Sequence, residues 1–268
     1  MADKKEEAPS TAVAVYQPKT AAMIVEDLDG AMKIIAEALG GTELSLNDLD
    51  VVKTPTGGIT SWEMPDGEMA KELRGVPILK QTPRTYWRKS MNAGDGGPPD
   101  CSSPDGDVGF GKRFDEDALG EHACDSCPFN EFGTAVRDDG SPGAGKACAE
   151  KTRIFLAVAN DLRPLRVELG PTSGTAIKGY WLRQATSIPP KPVYASEAVF
   201  TLEKKSNGKN DYAVAKVAAG ELLSPDERTK VGEYRAKVVP LLEAMARRRA
   251  FDEGAPANDG RIIDEEES

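Results

Sequence analysis

The 268-residue sequence predicts a mainly β fold with a helix near each end, and three observations carry that prediction. Short β-prone runs separated by Gly/Pro turns fill roughly 50–90 and 150–217. An Asn207-Gly208 pair joins two of the longest runs, and Asn-Gly between apolar stretches is a strong hairpin signal. Between the β-rich parts, residues 92–150 are rich in Gly, Pro, Asp and Ser and hold all four cysteines. A compact domain rarely carries so long a coreless stretch, so something other than apolar packing must order it.

The elements follow in chain order. Residues 1–22 have few large apolar side chains and read as disordered. The main domain then runs over 23–251. Met32, Ile35 and Leu39 lie at helical spacing and Gly40-Gly41 ends the pattern, predicting a helix over roughly 28–39. Strand candidates are Val51-Val52, Ile59 to Trp62, Val76 to Lys80 and Thr85 to Lys89. After the cysteines come Thr152 to Val158 (a strand, or a short helix), Leu165 to Leu169, and Ala176 to Gln184. Val193 to Lys205 and Asp211 to Val217 form the arms of the hairpin. A closing helix begins at Ser224-Pro225, with Glu227 completing a capping box. Its apolar face is Val231, Tyr234, Val238, Leu241, Leu242 and Met245, and Pro240 should kink it. Residues 252–268 form an acidic tail expected to be disordered.

No run of about 18 apolar residues exists, so no membrane span is expected. The charged start, Met1 to Glu7, reads against a secretory signal, and four cysteines do not make a disulfide scaffold. A cytosolic protein with reduced thiols is the expectation. The net charge of −10 hides a segregated pattern. Residues 51–90 are net +3 and 151–250 net +8, whereas 1–50, 91–150 and 251–268 are net −6, −9 and −6.

The cysteines are spaced Cys101-x22-Cys124-x2-Cys127-x20-Cys148. Four thiolates suit tetrahedral zinc, and Cys-x2-Cys lets one turn give two ligands. One structural zinc on Cys101, Cys124, Cys127 and Cys148 is the leading expectation. An iron–sulfur cluster, two disulfides or free thiols are the alternatives. His122, the sole histidine, is expected as a neighbour of the site or a surface residue rather than a ligand. With one histidine, no hydrolytic triad is convincing, and no active site is expected. Gly140 to Ala147 nearly matches a phosphate-binding loop, but Ala147 stands where a hydroxyl should bind magnesium.

Two basic runs contain Tyr-Trp pairs: Lys80, Arg84, Tyr86, Trp87, Arg88 and Lys89 in one, Lys178, Tyr180, Trp181 and Arg183 in the other. Basic residues beside aromatic faces are what single-stranded nucleic acid requires. Read as strands, these runs put Arg84, Tyr86 and Arg88 on one face and Lys178 with Tyr180 on another, sending Trp87 inward, with the opposite phase as the alternative.

Several motifs in order resemble bacteriophage and prophage proteins of the single-stranded-DNA-binding type. They are Pro55-Thr56-Gly57-Gly58, Trp62, Gly75-Val76-Pro77-Ile78, Arg84-Thr85-Tyr86-Trp87, Pro99 to Gly106, Cys124 to Asn130 and Gly145 to Cys148, within roughly 45–220. The resemblance implies an OB-like β-barrel with a metal-bound insertion at 92–150. It implies sequence-independent binding of single-stranded DNA in phage replication or recombination, inside a bacterial host. The chain ends Glu267-Ser268, without the terminal aromatic by which replicative binders often dock partners. A zinc-stabilised protein–protein adaptor, and an enzyme or enzyme subunit of phage nucleic-acid metabolism, are the rival expectations.

Overall fold

The computed structural model describes residues 28–254, except 42, 89–98, 112–119, 138, 159–160 and 209. The segments expected to be disordered, 1–22 and 252–268, lie outside these residues apart from 252–254, which end the last helix.

The elements are α1 (Leu28–Ala38), β1 (Val51–Lys53), β2 (Trp62–Glu63), β3 (Met69–Ala70), β4 (Glu72–Gln81), β5 (Arg84–Tyr86), β6 (Cys101–Ser103), β7 (Val108–Gly111) and β8 (Gly120–Ala123). After them come β9 (Ala149–Glu150), β10 (Thr152–Ala157), β11 (Leu165–Leu169), α2 (Gly174–Ala185), β12 (Ser196–Ser206), β13 (Asp211–Leu222) and α3 (Pro225–Gly254). The fold is mainly β, as expected.

The main sheet has the order β1-β11-β10-β4-β12-β13, antiparallel except for the β1/β11 pair. Its strand edges, β1 and β13, do not pair with each other, so it is a curled half-barrel rather than a closed barrel. Alternation along β10 decides the layering. Ile154 and Leu156 enter one core, and Phe155 and Ala157 enter another on the opposite face. The first core is covered by Ile177 and Tyr180 of α2, the second by Val231, Tyr234, Val238, Leu242 and Met245 of α3. Leu241, expected on the apolar face of α3, is exposed, because the stripe runs through Leu242 instead.

A bulge interrupts the β4/β10 pairing. Phe155 faces Leu79 and Leu156 faces Pro77, leaving Ile78 unopposed. Pro77 sits where a missing N–H costs least. Arg235 Nε of α3 donates to the Ile78 carbonyl at 2.8 Å, satisfying it from outside the sheet. The start of α3 is capped as expected: Glu227 N donates to Ser224 Oγ at 3.3 Å and Ser224 N to Glu227 Oε2 at 2.8 Å. The Asn207-Gly208 hairpin also forms, with Ser206 paired to Asp211 and Gly208 at φ +84°.

Two expected strands change. Ala176 to Gln184 lies in α2, since Ile177 and Tyr180, three apart, point to one core as only a helix allows. Ile59 to Trp62 yields strand only at its end, with Trp62 buried and Ile59 51% exposed. A second sheet, ordered β8-β7-β6-β5-β9, carries the cysteine region and continues from β4 through Thr82-Pro83. Among the described residues no helix is long and apolar enough to cross a membrane.

Candidate functional site

The second sheet positions all four cysteines around one cavity. Cys101 opens β6, Cys124 follows β8, Cys127 precedes a short 3-10 turn at Pro128–Asn130, and Cys148 precedes β9. The cavity they line holds about 20 Å³, room for one water-sized sphere. Its walls are fixed by backbone bonds. Cys124 N donates to Asp107 O at 2.8 Å and Cys148 N to Phe129 O at 2.9 Å. Asn130 Nδ2 donates to Cys124 O at 2.8 Å. Gly109 has no spare room: a Cβ there would lie 2.9 Å from Cys101 Sγ and 3.6 Å from Cys124 Sγ.

All four thiols are free of disulfides. Among the described residues no group of three or more Cys, His, Asp or Glu side chains is drawn in to metal-binding distance. The sulfurs surround a common space without closing on it. Burial, reinforced by Cys124 and Cys127, pushes the Cys148 thiol up to about 11. Burial likewise raises Cys124, partly offset by Ser103 and Arg84. Burial thus favours the protonated form of Cys124 and Cys148, a preference that a bound cation would reverse. His122 borders the cavity, with Nε2 3.0 Å from Gly111 O, and supplies a wall. The near phosphate-binding loop forms a reverse turn, Val136 bridging Pro142, and leads into β9 rather than a helix.

On the first basic run the structure takes the alternative phase, not the one expected first. Tyr86 is 9% exposed and stacks on Phe129 inside the cysteine layer, centroids 4.1 Å apart and planes 11° apart. Trp87 is half-buried on the other side of the strand and lines a cleft. Arg84 is a structural residue: Nε and Nη2 donate to Glu150 Oε2 at 3.1 and 2.9 Å, and Nη1 to Gly106 O at 3.0 Å. Arg88 is engaged with Asp100, its N 2.7 Å from Oδ2. Lys80 pairs with Ile154 and so faces the α2 side of the main sheet, away from Trp87. Lys89 lies outside the described residues.

The second basic run does not join the first. Tyr180 is 1% exposed in the core, Trp181 packs against it, and Lys178 and Arg183 project from the outer side of α2. The aromatic–basic pairing read along that run is undone by its helical geometry. Tyr180 and Trp181 of α2 are not a stacking platform.

The cleft beside Trp87 is the feature that sequence reasoning missed. It holds about 570 Å³ where the end of the main sheet meets β5, β6 and Ala246 of α3. Among the described residues four cations line it, Lys53, Lys151, Arg153 and Arg166, against one carboxylate, Glu168. The register explains the gathering: Lys53, Glu168, Arg153 and Gln81 form one rung across β1, β11, β10 and β4. Paired residues share a face, and Arg166 joins them two residues from Glu168. Arg153 and Arg166 are 8% and 6% exposed. Arg153 Nε donates to Glu168 Oε1 at 2.6 Å, and Arg166 Nε lies 3.6 Å from the same oxygen. Arg166 Nη1 also donates to Leu46 O at 2.6 Å. Two buried guanidiniums thus share one carboxylate, and the floor carries an excess positive charge in a low-dielectric setting. Lys53 and Lys151 are exposed at the rim.

No family model, curated protein or solved structure matches the chain. The resemblance to phage single-stranded-DNA-binding proteins therefore rests on the sequence motifs alone.

Proposed function

We propose that this protein binds single-stranded DNA without reading its sequence and without catalysing a reaction. The strand lies in the Trp87 cleft, phosphates against Lys53, Lys151, Arg153 and Arg166, with a base on the indole. The observation that carries the reading is the coincidence in one accessible cleft, among the described residues, of four cations facing one carboxylate and a half-buried indole. Phosphate neutralisation supplies affinity that falls with salt. Stacking supplies about 1–3 kcal/mol per base and tolerates any base. The curled main sheet is the OB-like element of this reading, and phage replication or recombination is the setting that the motifs imply.

The cofactor in this reading is one structural zinc on Cys101, Cys124, Cys127 and Cys148. Four sulfurs around one ion-sized space, in a region whose strands have two to four residues, support it. Such short strands need a further constraint to hold together.

The test is a salt-titrated anisotropy measurement with oligo-dT and with duplex. Trp87→Ala should weaken oligo-dT binding by about 1–3 kcal/mol. Lys53→Ala or Lys151→Ala should each reduce the slope of log affinity against log salt by about 0.7, one single-strand contact. Duplex should bind more weakly, because its bases are already stacked. Equal duplex affinity, or full binding by both Trp87→Ala and Lys53→Ala, would overturn the reading and leave the protein–protein adaptor in front.

A further inference from the structure

The cysteine cavity and the cleft are two sides of one thin wall. β5 and β6 pair with Tyr86 opposite Cys101 and Thr85 opposite Ser102. Tyr86 and Cys101 line the cavity, while Thr85, Ser102 and the following Trp87 line the cleft. The alternation of a strand thus sends neighbouring residues into two different spaces. On its other edge β5 pairs with β9, where Thr85 faces Ala149. β9 starts directly after Cys148 and ends directly before Lys151, whose N–H donates to Pro83 O at 3.0 Å.

Both neighbours of β5 therefore bring a cysteine to the cavity, β6 through Cys101 and β9 through the adjacent Cys148. Cys124 and Cys127 supply the opposite side of the same cavity. These strands have only three, three and two residues; the Tyr86–Phe129 stack braces them on the cavity side, and α3 lies against β6. A cation that drew the four sulfurs together would also fix β6 and β9 against β5.

We infer that the thiol cavity is a metal-dependent clamp on the cleft. A soft divalent cation, zinc first, held by the four cysteine sulfurs, fixes the wall that carries Trp87, Ser102 and Lys151 in the binding position. This inference rests on the single-strand reading of the cleft for its binding consequence, but its effect on the wall is independent of that reading. Linkage makes the coupling reciprocal: metal and single strand raise each other's affinity by the same factor.

The experiment uses the full chain, stripped with a chelator under reducing conditions and reloaded with zinc. Metal content, oligo-dT anisotropy and the part of tryptophan emission lost in Trp87→Phe are read on both forms. The expected result is about one zinc per reloaded chain, a Trp87 emission that changes on stripping, and oligo-dT affinity lower by about 5- to 150-fold in the stripped form. Equal affinity and unchanged Trp87 emission in the two forms would overturn the clamp while leaving the function intact. Emission that follows zinc with no oligo-dT binding in either form would uphold the clamp and remove the function. Absence of zinc uptake overturns the clamp outright. Should stripping unfold the chain, by far-ultraviolet circular dichroism, the reciprocal arm decides. Saturating oligo-dT must then slow zinc transfer from the loaded protein to a chelating dye, and unchanged transfer overturns the coupling.

Discussion

At Trp87 and its neighbour Tyr86, the two sides of one short strand do different work. Tyr86 is held by its stack on Phe129, so Tyr86→Ala should cost stability, about 3–5 kcal/mol as for other buried aromatics, before it costs binding. Chemical denaturation of Tyr86→Ala beside Trp87→Ala separates the two roles, since only the second should lose oligo-dT affinity at unchanged midpoint. Gly109 is a second test of the same layer. Gly109→Ala puts a methyl 2.9 Å from Cys101 Sγ, within a strand paired on both sides, and should lower zinc content under a competing chelator. Zinc retention equal to that of the parent would show that the sulfurs have room to spare. A third residue, Glu197, is buried, and burial raises its carboxyl above the ordinary range, with Arg74 3.9 Å away pulling it back. A raised folded value means that the folded chain holds this proton more tightly than the unfolded chain. Stability from this group is present at low pH and falls as pH climbs from the unfolded value through the folded one. Glu197→Gln should therefore be the more stable protein at pH 7 and lose that advantage on acidification, as thermal melts across pH would report.

The elements differ in how plainly their sequences announced them. The hairpin at Asn207-Gly208 and the capped start of α3 depend on local chemistry, turn residues and a Ser-x-x-Glu box, and both formed as read. Ser224→Ala should cost about 1 kcal/mol, read as a shift in denaturation midpoint, because it orphans an N–H of the first turn. The segment 176–184 has β-prone Ile, Tyr and Trp but no alternation, and Ile177 with Tyr180 fits a helix better than the expected strand. The phase of Thr85 to Trp87 was not legible for a different reason. Both faces of that strand are occupied, one by the cysteine layer and one by the cleft, so no polar side marks the outside. The cleft itself was invisible because its cations come from residues 53, 151, 153 and 166, joined by strand register for Lys53, Arg153 and Arg166 and by the Lys151 N–H bond to Pro83 O. Sequence proximity favoured the local run around Arg84, whose charge is already satisfied by Glu150.

Over the whole molecule, charge is segregated along the chain and regathered by the fold. The basic stretch 151–250 supplies three of the four cleft cations, and Lys53 adds the fourth from the other basic stretch. Ala246, eight residues before α3 ends at Gly254, lines the same cleft. Beyond Gly254 the sequence continues for 14 residues with five acidic side chains and one basic. Fully extended, such a segment reaches on the order of 45 Å, ample to return to the cleft from the end of α3. Its carboxylates offer the cleft the same charge that phosphates do, at no cost in concentration because they are tethered. On the single-strand reading of the cleft, competition by this segment would be electrostatic, and screened as the Debye length shrinks from about 30 Å at 0.01 M to about 8 Å at 0.15 M. Deleting residues 255–268 should therefore tighten oligo-dT binding at 0.01 M salt and change it little at 0.15 M. Replacing the four-residue run Asp264 to Glu267 by Ser should reproduce most of the effect at full length. The same gain at both salt concentrations would point to bulk rather than charge, and no gain at low salt would remove the tail from the account of binding.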